Sequence, residues 1–280
     1  MLDNSVVKKI EDFVFMKPRS VQEIALHVGR NWRTADRYID EIGKEFGTIA
    51  TKVFREGTRG ALKIVYWASI EKVSHSVFQE NLEKELQTKN KEDFSAFDIF
   101  QHVSDNNKKA RIENPIDENA TDLSDLEDFL KNAKKQVLFF SGNFSFVNLK
   151  NKNFDMMKII EGMVKKNISI KALGRVDIAG RKNVEKLLSL NFKHGKELIE
   201  IRHREQPLRA IIIDNKIFRM KEVKEPTGRL KELDKKIFIF YTIKDKEWTE
   251  WLSRIFWKNF SNSISSQKRF EEINKLKIAV

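Results

Sequence analysis

Apolar positions in the first quarter of the chain recur at first every three to four residues and then every second residue. Val6, Val7, Ile10, Phe13 and Val14 lie at helical spacing, which predicts a helix that Pro18 stops. Ser20 followed by Glu23 is a capping-box pattern, and Val21, Ile24, Ala25 and Val28 give the short helix behind it an apolar face that Gly29 closes. Asn31 is placed to cap a third helix. In it Ala35, Ile39, Ile42 and Phe46 make an inward stripe, while Arg33, Thr34, Arg37 and Tyr38 point the other way. After Gly47 the period becomes two. Residues 49–54 and 61–67 read as strands around the tip Arg55-Glu56-Gly57-Thr58-Arg59-Gly60, a β-hairpin with arginines at its apex.

From residue 69 the stripe is weaker. Ile70, Val73, Val77, Phe78, Leu82 and Leu86 predict a polar helix that packs on a neighbour or on a second copy of itself. Ser95 with Asp98 suggests a further capped helix running to Val103, and Ser124 with Glu127 another. The polar, aperiodic stretch Asn106 to Asp122, with Pro115, reads as an exposed connection. Beyond it, strand and helix patterns alternate: strands at 137–141, 168–173, 198–201 and 237–243, helices at 154–166, 184–190 and 247–260. That alternation predicts a mostly parallel or mixed sheet with helical cover. The aromatic stripe Trp248, Trp251, Leu252, Ile255 and Phe256 reads as core rather than as a surface on which bases stack. Four segments result: 1–68, a connector at 69–135 that could form a dimer, an α/β domain at 136–262, and a polar tail at 263–280.

The run from Glu200 to Glu222 is the centre of the second half. Leu208 to Ile213 and Ile217 to Met220 read as two neighbouring buried strands joined by the turn pair Asp214-Asn215. Arg209 is a charge beside a run of isoleucines. It must snorkel, pair with an acid such as Asp214, or line a cleft.

Composition narrows the function. A net charge of +12 and a pI near 9.6, in a chain still rich in acids, favour a polyanionic partner, nucleic acid first and an anionic membrane surface second. The absence of cysteine excludes disulfides, thiolate zinc sites, iron-sulfur clusters and a cysteine nucleophile. No cofactor motif occurs. Early charges at Asp3, Lys8, Lys9, Glu11 and Asp12 fit no signal peptide, and no apolar run is long enough to span a bilayer, so a cytoplasmic, nucleoid-associated protein is expected.

Two short helices joined by a glycine-containing turn, the second with a basic outer face, make a helix-turn-helix. With the basic hairpin behind it, and above all with the segment Asn31 to Ile42, NWRTADRYIDEI, the N-terminal part resembles the winged helix-turn-helix domain of archaeal and bacterial transcription regulators. The resemblance implies that the third helix enters the DNA major groove. Asn31, Trp32, Arg33, Thr34, Arg37 and Tyr38 would form the interface there, with Arg55, Thr58 and Arg59 on the wing. The competing reading is a solvated helix face on which Asp36, Asp40 and Glu41 pair with the arginines.

The order of elements in the second half, with Asp214 after a hydrophobic strand, looks like one repeat of the phospholipase D fold. Its enzymes carry a His-x-Lys-x-x-x-x-Asp strand in which histidine is the nucleophile or general acid and lysine grips phosphate. Here Asp214 stands at the aspartate, Arg209 at the lysine and Pro207 at the histidine, and Lys221-Glu222 replaces the Gly-Ser that follows. Arg209 would hold an anion or pair with Asp214, and His203 is a remaining candidate for a displaced nucleophile. Together the halves resemble archaeal regulators of the TrmB type. The expected function is a sequence-specific regulator bound to double-stranded DNA, homodimeric, with a non-catalytic C-terminal domain. That domain would serve dimerisation or sense a small anionic or sugar ligand at His203, Arg209 and Asp214. A nuclease or phosphodiesterase with one half-site per protomer and an architectural chromatin protein are the alternatives.

Overall fold

The computed structural model describes residues 4–45, 48–55, 61–68, 75–113, 123–226 and 236–278. In its N-terminal unit α1 (Asn4–Met16) buries Val7, Ile10 and Val14 and ends before Pro18. At α2 (Val21–His27) the capping box is formed in both directions: Ser20 Oγ accepts the Glu23 N–H at 3.2 Å, and the Glu23 carboxylate accepts the Ser20 N–H at 2.7 Å. Gly29 then turns the chain at φ +68°. Asn31 Oδ1 accepts the Thr34 N–H at 2.9 Å and so starts α3 (Trp32–Glu45), which buries Ala35, Ile39 and Ile42. Phe46, the fourth member of that stripe, lies outside the described residues. Strands β2 (Ile49–Arg55) and β3 (Ala61–Trp67) pair antiparallel from Ile49↔Trp67 to Arg55↔Ala61. The two-residue β1 (Arg19–Ser20) joins the other edge of β3.

The second sheet runs β11-β7-β6-β5-β8-β9-β10-β4 among the described residues. Its centre is β5 (Gln136–Phe140), β6 (Ser169–Gly174) and β7 (Ile199–His203), which are parallel. On the other side of β5 come β8 (Ala210–Ile213), β9 (Ile217–Lys224) and β10 (Ile237–Ile243), all antiparallel. Because successive side chains face opposite ways, Val137 and Phe139 enter the core under α6 (Ser124–Lys131), α7 (Met156–Lys165) and α8 (Arg181–His194). Leu138 and Phe140 enter the other core, under α4 (His75–Thr88), the short α5 (Phe97–Phe100) and α9 (Lys246–Ser261). Two covered faces explain why these strands read as continuous apolar runs. The α9 stripe from Trp248 to Phe256 is buried.

Several expectations change. Within the stretch read as exposed connection, Lys108–Glu113 is a strand, β4, paired along β10 from Ile243↔Lys108 to Phe238↔Glu113. As an edge strand it keeps charged residues, with the Arg111 guanidinium 5.8 Å from the Phe240 ring centre, and so hides its period of two. Residues 114–122 lie outside the described residues, as do Ile70 and Val73. Leu82 and Leu86 of α4 are buried on the chain's own sheet rather than offered to a second copy. The Ser95–Asp98 box forms only in part: α5 is a single turn behind Ala96, the Asp98 carboxylate accepts the Ser95 N–H, and Ser95 Oγ accepts the Phe97 N–H at 3.3 Å while donating to Glu222 at 2.9 Å. Ser124 is the first helical residue of α6, without a side-chain cap. The segment read as a polar tail contains β11 (Ile264–Ser265), paired with β7, and α10 (Ser266–Ile278).

The two units meet along a packed seam. Phe54 of β2 lies 6.0 Å from Phe97 and 6.2 Å from Tyr241, ring to ring. Nearby, Lys224 of β9 is buried and reaches Glu23 of α2 and Glu222, both at 3.2 Å. Tyr241 Oη also donates to Glu222 at 3.2 Å.

Asp98 lies in the same seam, where burial and then Glu85 and Glu222 push its carboxyl up to about 8. An unfolded aspartate titrates near 3.8, so between 3.8 and about 8 the folded protein keeps a proton that the unfolded chain has released. Stability therefore falls as pH rises through that window. Asp98→Asn should flatten the profile and stabilise the protein by roughly 2 kcal/mol above it. Urea midpoints measured across pH 4 to 9 check this.

Candidate nucleic-acid interface and anion cleft

The outward face of α3 carries Arg33 and Arg37, one turn apart and exposed. The Arg33 guanidinium lies 5.5 Å from the Trp32 ring centre and that of Arg37 lies 5.6 Å from Tyr38. Trp32 and Tyr38 are partly buried against the N-terminal core, so they support the arginines more than they extend the interface. Asn31 spends its carboxamide oxygen on the helix cap. Thr34 is half-buried beside Arg33.

Asp36 and Asp40 of this helix are engaged elsewhere. Lys63 of β3 places its Nζ 2.8 Å from Asp36 and 2.7 Å from Asp40. Burial alone would lower the Lys63 pKa, and the two carboxylates outweigh it and hold it above the ordinary value. Among the described residues neither Arg33 nor Arg37 has a carboxylate within 4.0 Å. Lys63 was not among the sequence candidates. Its signal was the alternation of Leu62 and Ile64, which face the large sheet and so turn Lys63 and Val65 towards α3. The Arg55 backbone ends β2, whereas Thr58 and Arg59 lie outside the described residues.

Of the readings open to Arg209, the pair with Asp214 does not form. Asp214 and Asn215 take φ +52° and +56°, the two left-handed positions of a tight hairpin turn between β8 and β9. The Asp214 carboxylate accepts the N–H groups of Lys134 at 2.8 Å, Lys135 at 2.8 Å and Gln136 at 2.9 Å. It therefore anchors the start of β5. Arg209 lies at the far end of β8, beside the exit of β5, with the whole strand between them, a span of roughly 15 Å. Asp214→Ala should cost roughly 2 kcal/mol, because three backbone donors lose a charged acceptor and alanine resists the left-handed turn. Guanidinium unfolding reads this directly.

Arg209 instead enters a cleft of about 300 Å3 where the parallel strands end, with Ser141 and Gly142 after β5, Arg175 after β6 and Arg204 after β7. Carboxyl ends of parallel strands are the usual place for a ligand in an α/β sheet. A Cβ at position 142 would stand 2.3 Å from Arg209 Nη2, so a side chain there displaces the guanidinium. Gln206 fixes the approach, its Nε2 donating to Ser141 O at 2.8 Å and Leu208 O at 2.9 Å while its Oε1 accepts the Leu208 N–H at 2.7 Å. Burial lowers the Arg209 pKa, and the like charge of Arg175 lowers it further, against an opposing pull from Glu92.

His203 is not part of this cleft. Its Nδ1 accepts the Val176 N–H at 2.9 Å, and burial followed by Arg269 lowers its pKa. The three residues expected for an anion site are thus held apart, and Arg209 joins Arg175 and Arg204, which are not among those three. Their signal was position, each being the first residue past a parallel strand. Among the described residues no group of three or more His, Asp or Glu side chains is placed to hold a metal ion, and no helix is long and apolar enough to cross a membrane.

No family model matches the chain, and neither does any curated protein. Similar solved structures include TrmBL2, an archaeal chromatin protein whose structure shows a novel mode of DNA binding. It is 14% identical over 93% of each chain, with a TM-score of 0.37. The phospholipase D family member Nuc from Salmonella typhimurium is 11% identical over 56% of this chain and 97% of its own, with a TM-score of 0.39. NucT from Helicobacter pylori is 11% identical over 56% of this chain and 99% of its own, with a TM-score of 0.40.

Proposed function

We propose that the protein is a sequence-specific regulator that binds double-stranded DNA through α3, the recognition helix of an N-terminal winged helix-turn-helix. The observation that carries this reading is the Lys63 clamp on Asp36 and Asp40. A helix with two arginines and two aspartates on neighbouring turns would ordinarily neutralise itself. Here a strand lysine takes both acids, and Arg33 and Arg37 are left facing outward with their full charge. Arginine forks suit phosphate oxygens and guanine edges, and the basic balance of the chain supports a polyanionic partner. Two copies presenting α3 to related half-sites would match a homodimer.

The C-terminal domain, in this reading, is a phospholipase-D-like scaffold without hydrolytic activity. Pro207 stands where the motif requires its histidine, and His203 spends Nδ1 on a backbone N–H and lies outside the cleft. DNA selected by the protein from a random pool, measured against scrambled duplex at about 0.15 M salt, tests the reading. Strong preference for the selected sequence supports it. Equal affinity removes sequence specificity, and cleavage of either duplex removes the non-catalytic assignment.

A further inference from the structure

A second cavity, of about 450 Å3, opens along the seam between the N-terminal unit and the large sheet. Its N-terminal wall is Lys17, Ser20, Glu23 and Leu26, its floor includes Phe94, Pro207 and Leu208, and the end of β9 with the two residues after it closes the groove from Lys221 to Pro226. Lys91, Glu92 and Arg209 line both this groove and the arginine cleft, so the two adjoin and together form a channel-like site along those residues. The cleft end carries Lys91, Arg175, Arg204 and Arg209 against the carboxylates of Glu92 and Glu205, and Asp177, just outside the lining, stands 2.8 Å from Arg175 Nε, so four positive charges meet three negative. The groove end is apolar at its floor. A channel with three guanidinium groups and a positive balance at one end and an apolar floor at the other matches an anion such as phosphate on an apolar body.

We propose that this channel binds a small phosphate monoester, its phosphate on Arg175, Arg204 and Arg209 and its organic part over Leu208, Pro207 and Phe94. Bidentate guanidinium contacts suit the phosphate, and Gly142 leaves the space in which the Arg209 guanidinium lies. The site is composite. Glu23, on its wall, caps α2 and is bound to Lys224, and α2 packs directly against α3, so an occupied groove biases how the helix pair sits on the sheet. Only this last coupling rests on the DNA-binding reading, and ligand binding itself is measured without DNA.

The test is calorimetry on the full chain at constant ionic strength with two probes, inorganic phosphate and phenyl phosphate. Phenyl phosphate should bind about tenfold more tightly, because its ring leaves water over the groove floor. Arg175→Ala, at an exposed position, should weaken both probes about tenfold or more. Gly142→Ala keeps every charge but displaces the Arg209 guanidinium, and should do the same, with thermal melts showing both variants folded. The proposal is overturned if neither probe binds, if both variants bind like the wild type, or if the two probes bind equally. Should phenyl phosphate bind as expected, a change in DNA affinity on its addition establishes the coupling, and an unchanged affinity overturns the coupling alone.

Discussion

Replacing Arg33 and Arg37 together with alanine should lower affinity for selected DNA by roughly 100-fold, since each arginine contact to a base edge or phosphate contributes about 1–3 kcal/mol. Each single substitution should cost about tenfold. If Arg33 reads a base, its loss relaxes the preference at one position. If it holds a phosphate, all sequences weaken alike and the salt slope becomes shallower by about one. Stability should stay within about 0.5 kcal/mol of the wild type, because both side chains are exposed and neither has a carboxylate partner among the described residues. Lys63→Met should also weaken DNA binding although that side chain points away from the outer face. Without it Asp36 and Asp40 are free to turn to Arg33 and Arg37, each three residues away on the same helix. Anisotropy titrations of the variants at matched salt check the series.

The largest effect on stability should come from Lys224→Met. Burial alone would lower the Lys224 pKa, and Glu222 and Glu23 outweigh it, so the ammonium is held above its ordinary value. Removing it leaves Glu222, still hydrogen-bonded by Ser95 and Tyr241, without its cation, and leaves Glu23 with its capping box and only the longer 3.8 Å contact to Arg19. Breaking a buried pair in this way costs about 3–5 kcal/mol. Lys224→Met with Glu222→Gln should recover part of the loss, since one stranded charge is then gone. In the wild type the lysine's contribution is complete below pH 10.5 and disappears as pH rises through its elevated folded value. Denaturant unfolding of the single and double variants gives the energies. Because Glu23 belongs to α2, Lys224→Met should also loosen the N-terminal unit from the sheet.

What the sequence showed plainly was local. The stripe Ala35, Ile39, Ile42, the Ser20–Glu23 box and the Asp214-Asn215 turn each depend on neighbours a few residues away, and each appears in the fold. What it hid was carried by pairings distant along the chain. β4 escaped notice because an edge strand tolerates charge, and its partner β10 lies more than a hundred residues on. Asp36 and Asp40 were weighed as partners for arginines on their own helix because helical spacing is visible and a lysine on β3 is not. Arg209 was matched with Asp214 by sequence proximity, whereas the strand between them separates its own ends. Arg175 and Arg204 come together with Arg209 only once β6 and β7 have taken their places beside β5.

The claim that α3 is the helix that enters DNA can be tested by where it cuts. The chain has no cysteine, so Lys44→Cys, on the exposed end of α3, creates a unique attachment point for an iron chelate that cleaves nearby DNA. With α3 in the major groove, cuts on selected duplex should cluster across that groove at the bound site and vanish in the Arg33→Ala, Arg37→Ala protein. Cuts spread evenly along the duplex, or a cluster that survives the double substitution, would contradict it.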